Sequence, residues 1–292
     1  MKPVNIVTDS GVDMALTPDE RRDFHIRVVP LVVSLEGKSY REGIDITPDE
    51  FYQKLSATNA MPTTSQPSPG DFEAVYRELA ASDPEILSIH MSSGLSGTVN
   101  SARIAAASVT EARVAVVDTK TLSVGAGLQV EAAARALRAG WPLDAVLAMV
   151  QRLQQASHTM FTLKELKYLI HGGRISHMKG LIASILDIKP LIGVENERGT
   201  YEQMGQQRTF PSALRGLAEL PAKWIPKGSA VRAQVAHACN PEAAQELVQS
   251  VSRLFDCAWR ATTRMSLVLG AHTGPSMVGV VVTPQSAFVD VP

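Results

Sequence analysis

Short apolar runs alternate with longer amphipathic stretches through the first half of the chain. VNIVTDS (4–10), IRVVPLVVSL (26–35), EILSIH (85–90) and ARVAVVDT (112–119) are apolar runs, several of them ending in polar residues. Such runs read as strands covered on both faces, as in a parallel sheet. Between them, PGDFEAVYRELAA (69–81), TVNSARIAAASV (98–109) and LSVGAGLQVEAAARALRAG (122–140) read as helices. Ser68 reads as an N-cap, with Pro69 at the first helical position and Asp71 in the first turn. Gly140 marks a helix stop. This alternation predicts an α/β domain with a parallel sheet over residues 1–157. PLDAVLAMVQRLQQAS (142–157) is its last helix or a bridge to a second domain.

From residue 158 the pattern changes. A short strand and two helices flank Gly172-Gly173, and residues 188–209 read as two strands joined near Glu197–Gly199. Helices are expected over 211–220 and 241–255 and a strand over 231–239. SLVLGAHTGPSMVGVVVTP (266–284) reads as strand, loop, strand. Residues 158–292 are therefore expected to form an α+β domain.

Net charge is −1, from 28 basic and 29 acidic residues, so no basic excess points to nucleic acid. Cys239 and Cys257 match neither a disulfide framework nor zinc spacing, and read as thiols of a reducing, cytoplasmic compartment. The chain enters a strand-like run at once, without the apolar segment of a secretory signal. No apolar run approaches the roughly 18 residues of a membrane span. G-x-x-x-x-G-K-[ST], G-x-G-x-x-G, H-E-x-x-H, C-x-x-C and G-x-S-x-G are all missing. The seven histidines have no ligand spacing, so neither a metal nor a cofactor is expected.

The candidate chemistry lies in hydroxyl-rich loops. TDS (8–10), SSGLSGT (92–98) and DTKTLS (118–123) each follow an expected strand, at the sheet edge where ligands bind in open α/β folds. Two of them precede helices, whose first N–H groups suit an anion. MPTTSQPSPG (61–70) adds Thr63 and Thr64. Each loop alone reads equally as a cap or a turn. Hydroxyls without a basic residue suit a weakly held anion or a neutral polar head. His272 follows an apolar run and precedes Gly274-Pro275. Arg174 follows two glycines and either holds an internal carboxylate or projects toward a partner.

Together IVTDS, VVPLVV, PTTSQPSPGDF, SIHMSSGLSGTVNSA, VVDTKTLSVGAGLQ, LKYLIHGGRIS, ILDIKPLI and GAHTGPS resemble the DegV family of bacterial fatty-acid-binding proteins, the acyl-carrying subunits of fatty acid kinase. The segments occur in family order from residue 4 to about 280, and the pairing of PTTSQPSPG with SSGLSGT is specific. The resemblance implies a long-chain fatty acid held between the two domains. Its carboxylate would meet Thr63, Thr64, Ser93, Ser96 and His272, and its tail would enter an apolar channel. It further implies a carrier without catalysis of its own, cytoplasmic, with transient membrane contact at most. A separate ATP-dependent fatty acid kinase would dock at Arg174 and Arg208 and make acyl phosphate for phospholipid synthesis. The chain departs from the family at Gln206-Gln207, where Lys-Val is usual, and at Ser276, where glycine is usual. Two other readings stand beside this one. A serine hydrolase would use Ser93 or Ser96 with His272 and Asp9. The substrate domain of a phosphotransferase would have a polar pocket without an apolar channel.

Overall fold

The computed structural model describes residues 4–178 and 188–292. Its first part runs β1 (Asn5–Asp9), α1 (Pro18–Asp23), β2 (Ile26–Val29), β3 (Val32–Leu35), β4 (Lys38–Arg41), α2 (Pro48–Ala57), β5 (Thr63–Ser65), α3 (Pro69–Ala80), β6 (Glu85–His90), α4 (Thr98–Ser108), β7 (Arg113–Asp118), α5 (Ser123–Arg138) and α6 (Leu143–Ala156). The apolar runs form a four-stranded parallel sheet in the order β2-β1-β6-β7. On its outer face Phe72 and Tyr76 of α3 and Ala102 of α4 pack with Val7 and Ile86. The Ser68 cap is present: its hydroxyl accepts from the Asp71 N–H at 3.2 Å, and the Asp71 carboxylate accepts from the Ser68 N–H at 2.7 Å. Thr17 and Thr47 cap α1 and α2 in the same way, each followed by proline. Each such cap contributes about 1 kcal/mol.

The run 26–35 is not one strand. Pro30 has no N–H to give a ladder, and the chain leaves the parallel sheet there. β3 then turns through Glu36 (φ 52°) and Gly37 (φ 76°) into β4. Residues 63–65 pair with β3 on its other side, closing a three-stranded antiparallel sheet in the order β4-β3-β5.

The second part runs β8 (His158–Thr162), α7 (Lys167–His171), β9 (Lys189–Val194), β10 (Tyr201–Gln207), α8 (Phe210–Glu219), β11 (Ala230–His237), α9 (Pro241–Ser252), β12 (Asp256–Trp259), β13 (Thr263–Arg264), α10 (Leu267–Thr273) and β14 (Val278–Pro284). These strands make one mixed sheet, ordered β10-β9-β8-β14-β11-β12, with β13 beside β11. α8 and α9 pack on this sheet with the core formed by Leu214, Leu217 and Leu247. α5 and α6 also pack against its strands, although both precede residue 158. A continuous core joins Ile6 and Leu87 of the parallel sheet to Phe161, Ile192 and Val281 of the mixed sheet. After Gly173 a 3-10 turn covers Arg174–His177. The remainder of the second helix expected in that region lies outside the described residues.

The segment 267–273 is a helix, not the strand its continuous apolar character predicts. A short apolar run does not reveal its period, and here all seven residues of α10 are buried. What fixes the helix is its start. The Ser266 N–H donates to Asp13 at 2.9 Å, the Ser266 hydroxyl donates to Glu42 at 2.8 Å, and the Leu267 N–H also donates to Glu42. Two carboxyl groups from the first part thus satisfy donors that a helix start leaves unpaired. Burial pushes both groups up, Asp13 to about 8 and Glu42 to about 7.

Candidate functional site

α10 delivers His272 to a cavity of about 290 Å³ at the C-terminal edge of the parallel sheet. Leu31 enters it from the link between β2 and β3, Thr64 from β5, Met91, Leu95 and Ser96 from the loop after β6, and Arg174 from the 3-10 turn. Val268 and Leu269 of α10 and Tyr201 complete an apolar side. The hydroxyls, one arginine and one imidazole therefore face a wall made mostly of aliphatic carbon.

The central contact joins His272 Nε2 to Thr64 Oγ1 at 2.8 Å. His272 is 7% exposed, and its Nδ1 has no hydrogen-bond partner among the described residues. Burial, helped by the nearby Arg174 and His171 charges, pulls its pKa down to about 4. The ring is therefore neutral at neutral pH and offers one N–H and one lone pair. Gly172 explains the tight fit: a Cβ there would stand 2.0 Å from Nδ1. Gly173 has φ 72°, a left-handed conformation that glycine adopts without strain.

Thr64 and Ser65 line the cavity, and Thr63 does not. All three stand on β5. Thr64 lies opposite buried Val33 and turns inward, while Thr63 lies opposite Ser34 and is exposed. Ser93 is likewise outside the lining. Its hydroxyl donates to Asp118 at 2.5 Å and its N–H to the same carboxylate at 3.2 Å, with Lys120 paired to Asp118 at 2.9 Å. Ser96 does line the cavity and also serves the start of α4. Its hydroxyl lies 2.8 Å from that of Thr98 and accepts from the Thr98 N–H at 3.3 Å.

Arg174 is half-buried and binds carbonyls: Gly172 at 2.7 Å and Leu95 at 3.4 Å. It ties the glycine turn to the loop after β6, and no carboxylate is paired with it among the described residues. Arg208 is exposed just after β10 and is not part of the lining. Gln66, which the sequence did not single out, joins the lining and donates to the Ser101 hydroxyl at 3.2 Å. A Cβ at Gly97 would come within 2.2 Å of Gln66, so the second glycine of SSGLSG makes room for the residue just beyond TTS.

Asp9 serves a different purpose from the one a catalytic triad would give it. It is fully buried and accepts from the Gly11 N–H at 2.9 Å and the Met91 N–H at 3.0 Å, with His90 Nδ1 at 3.0 Å. His90 Nε2 continues to Ser88 at 2.6 Å, and Ser88 to Tyr76 at 2.7 Å. This chain of contacts anchors the loop after β6 and does not include His272. An Asp9–His272–serine relay is not assembled.

Among the described residues, no helix is long and apolar enough to cross a membrane. Among the same residues, no group of three or more His, Cys, Asp or Glu side chains could hold a metal ion.

A family model described as "Uncharacterised protein, DegV family" matches residues 3–285. A DegV domain-containing protein of Deinococcus radiodurans is 34% identical over 286 residues, covering 97% of this chain and 99% of its own. A DegV family protein of Thermus thermophilus, described for its fatty acid binding, superposes with a TM-score of 0.88 at 36% identity, covering 97% of this chain and 99% of its own. DegV of Bacillus subtilis, described as a fatty acid binding protein, superposes with a TM-score of 0.84 at 29% identity and the same coverage. The family model spans residues 3–285 and the relatives cover almost the whole chain, and on that basis this chain belongs to the DegV family.

Proposed function

We propose that this protein binds a long-chain fatty acid, with the carboxylate against Thr64, Ser96, His272 and Arg174 and the tail along the aliphatic wall. The observation that carries this reading is the Thr64–His272 pair: a buried neutral imidazole bonded to a hydroxyl, between a half-buried arginine and apolar side chains. A carboxylate is acceptor-only and takes hydrogen bonds from hydroxyls, an imidazole N–H and a guanidinium. Each buried methylene of the tail contributes about 0.8 kcal/mol. The fatty acid binding described for the Thermus and Bacillus relatives supports the same chemistry. In this reading Thr63 and Ser93 shape the loops without touching the carboxylate.

The protein acts as a carrier in the cytoplasm, without catalysis of its own. A separate ATP-dependent kinase converts the presented carboxylate to an acyl phosphate, docking over Arg174 and Arg208. Residues 1–157 supply the head-group loops and residues 158–292 close over the chain, with α5 and α6 lent to the second sheet. Native mass spectrometry of freshly purified protein tests the binding step, with a bound mass matching an acyl chain as the expected result. Protein without such a mass, and unchanged on adding palmitate or oleate, overturns it. Arg208→Ala tests docking: acyl phosphate formation with the kinase falls while fatty acid affinity stays.

A further inference from the structure

A second cleft, of about 310 Å³, lies where α5 meets β11 and the end of β12, and it shares no residue with the His272 cavity. Three half-buried arginines converge there: Arg135 from α5, Arg232 from β11 and Arg260 just after β12. Arg260 is neutralised by Glu131 at 2.5 Å, and Glu131 also accepts the Ala15 N–H at 2.6 Å. Arg135 and Arg232 have no carboxylate partner among the described residues. Arg232 is held in place: its guanidinium stacks 4.1 Å over the Phe288 ring, and its Nε donates to Gln285 at 3.2 Å. Its two terminal nitrogens have no protein acceptor among those residues. Burial, together with the Arg260 and Arg135 charges, lowers the Arg232 pKa.

Gln234, on the same strand, is fully buried and lines the cleft. Its Nε2 donates to the Ala261 carbonyl at 3.2 Å, while its Oε1 has no partner among the described residues. Gathering like charges and burying an unpaired acceptor are both unfavourable. Both are relieved by one kind of ligand: an anion that also carries a hydrogen-bond donor. Sulfate and simple carboxylates lack the donor at neutral pH. Inorganic phosphate keeps a P–OH even as its dianion, and a monoester of a hydroxylated molecule carries the donor beside its phosphate.

We propose that this cleft is a phosphate site, in which Arg232 and Arg135 hold the anion and Gln234 Oε1 accepts from the ligand's hydroxyl. It is independent of the fatty acid reading. Calorimetry on the full chain at low ionic strength, with inorganic phosphate, sulfate and ribose 5-phosphate as probes, tests it. Saturable binding of phosphate or of the ester, tighter than sulfate, is expected. If the ester alone binds, the ligand is a monoester; if phosphate alone binds, it is the anion itself. Arg232→Gln should weaken binding roughly ten- to a hundredfold, and Gln234→Leu should abolish the preference over sulfate. Should Arg232→Gln fail to fold, Arg135→Gln reads the same loss. Fatty acid binding should persist in all three variants. No saturable binding, equal affinity for sulfate, or affinity unchanged in both arginine variants overturns the proposal.

Discussion

His90, the last residue of β6, and His272, in α10, are both buried histidines, yet their surroundings are opposite. His90 is fully buried, both its nitrogens are engaged by Asp9 and Ser88, and Phe72 packs on it edge-on at 4.9 Å. His272 has one nitrogen engaged by Thr64 and one without a partner among the described residues. A closed polar network inside a core fixes a conformation. In the proposed reading, an incomplete one beside an apolar wall receives a ligand's polar end. On that reading the difference separates a histidine that holds the fold from one that serves binding, although the sequence presents both simply as histidines after apolar runs.

The largest effect is expected on the closed side. Asp9→Ala strands His90 Nδ1 and two backbone N–H groups, and each buried group left unsatisfied costs about 1–3 kcal/mol. Urea denaturation measures this; a loss under about 1 kcal/mol, the scale of an exposed pair, would break the comparison. On the open side the effect is linked to pH. His272 titrates near 4 when folded and near 6.5 when unfolded, so the unfolded chain binds more protons between those values. Stability from this residue is complete above pH 6.5 and is lost as pH falls toward 4, by about 3 kcal/mol in all. Denaturation curves of His272→Gln should lack that share of the acid loss; parallel curves would remove the argument.

Smaller effects belong to single hydrogen bonds. Thr64→Ala should lower fatty acid affinity roughly ten- to a hundredfold, since a bond to a charged group is worth about 1.5–3 kcal/mol. Thr63→Ala should change affinity little, and calorimetry on the pair sharpens the assignment. Equal losses in both would mean that Thr63 and Thr64 do not differ as described. Smallest of all, His272→Gln should keep more affinity than His272→Ala, because an amide still donates. Turnover of acyl esters by the wild type without kinase or ATP, abolished by both substitutions, would instead make His272 a base.

Much of this was legible in the chain. The parallel strands followed from continuous apolar runs, and the Ser68 cap followed from Ser-Pro and Asp71. The hydroxyl-rich segments after β1, β6 and β7 do lie at one sheet edge, whereas TTS, read as a loop, is a strand of the separate antiparallel sheet. Three features were hidden for physical reasons. Pro30 splits a run that hydropathy alone joins. α10 is helical because Asp13 and Glu42, more than two hundred positions away, satisfy its first N–H groups. Thr63 and Ser93 look equivalent to Thr64 and Ser96 until strand pleat and the Asp118 carboxylate turn them elsewhere. Gln66 carried a usable signal, its adjacency to the threonines, but the glycine that accommodates it lies thirty-one residues on.

The pairing of Val33 with Thr64 has a consequence for mutational robustness. Moving β5 by one residue along β3 would reverse which side chains turn inward. In most strands that error replaces a functional group with something unrelated. Here positions 63, 64 and 65 are all hydroxyl residues. Whichever parity the strand adopts, an alcohol faces the cavity, so an insertion or deletion in the connection before it leaves a hydroxyl in place while its depth is readjusted.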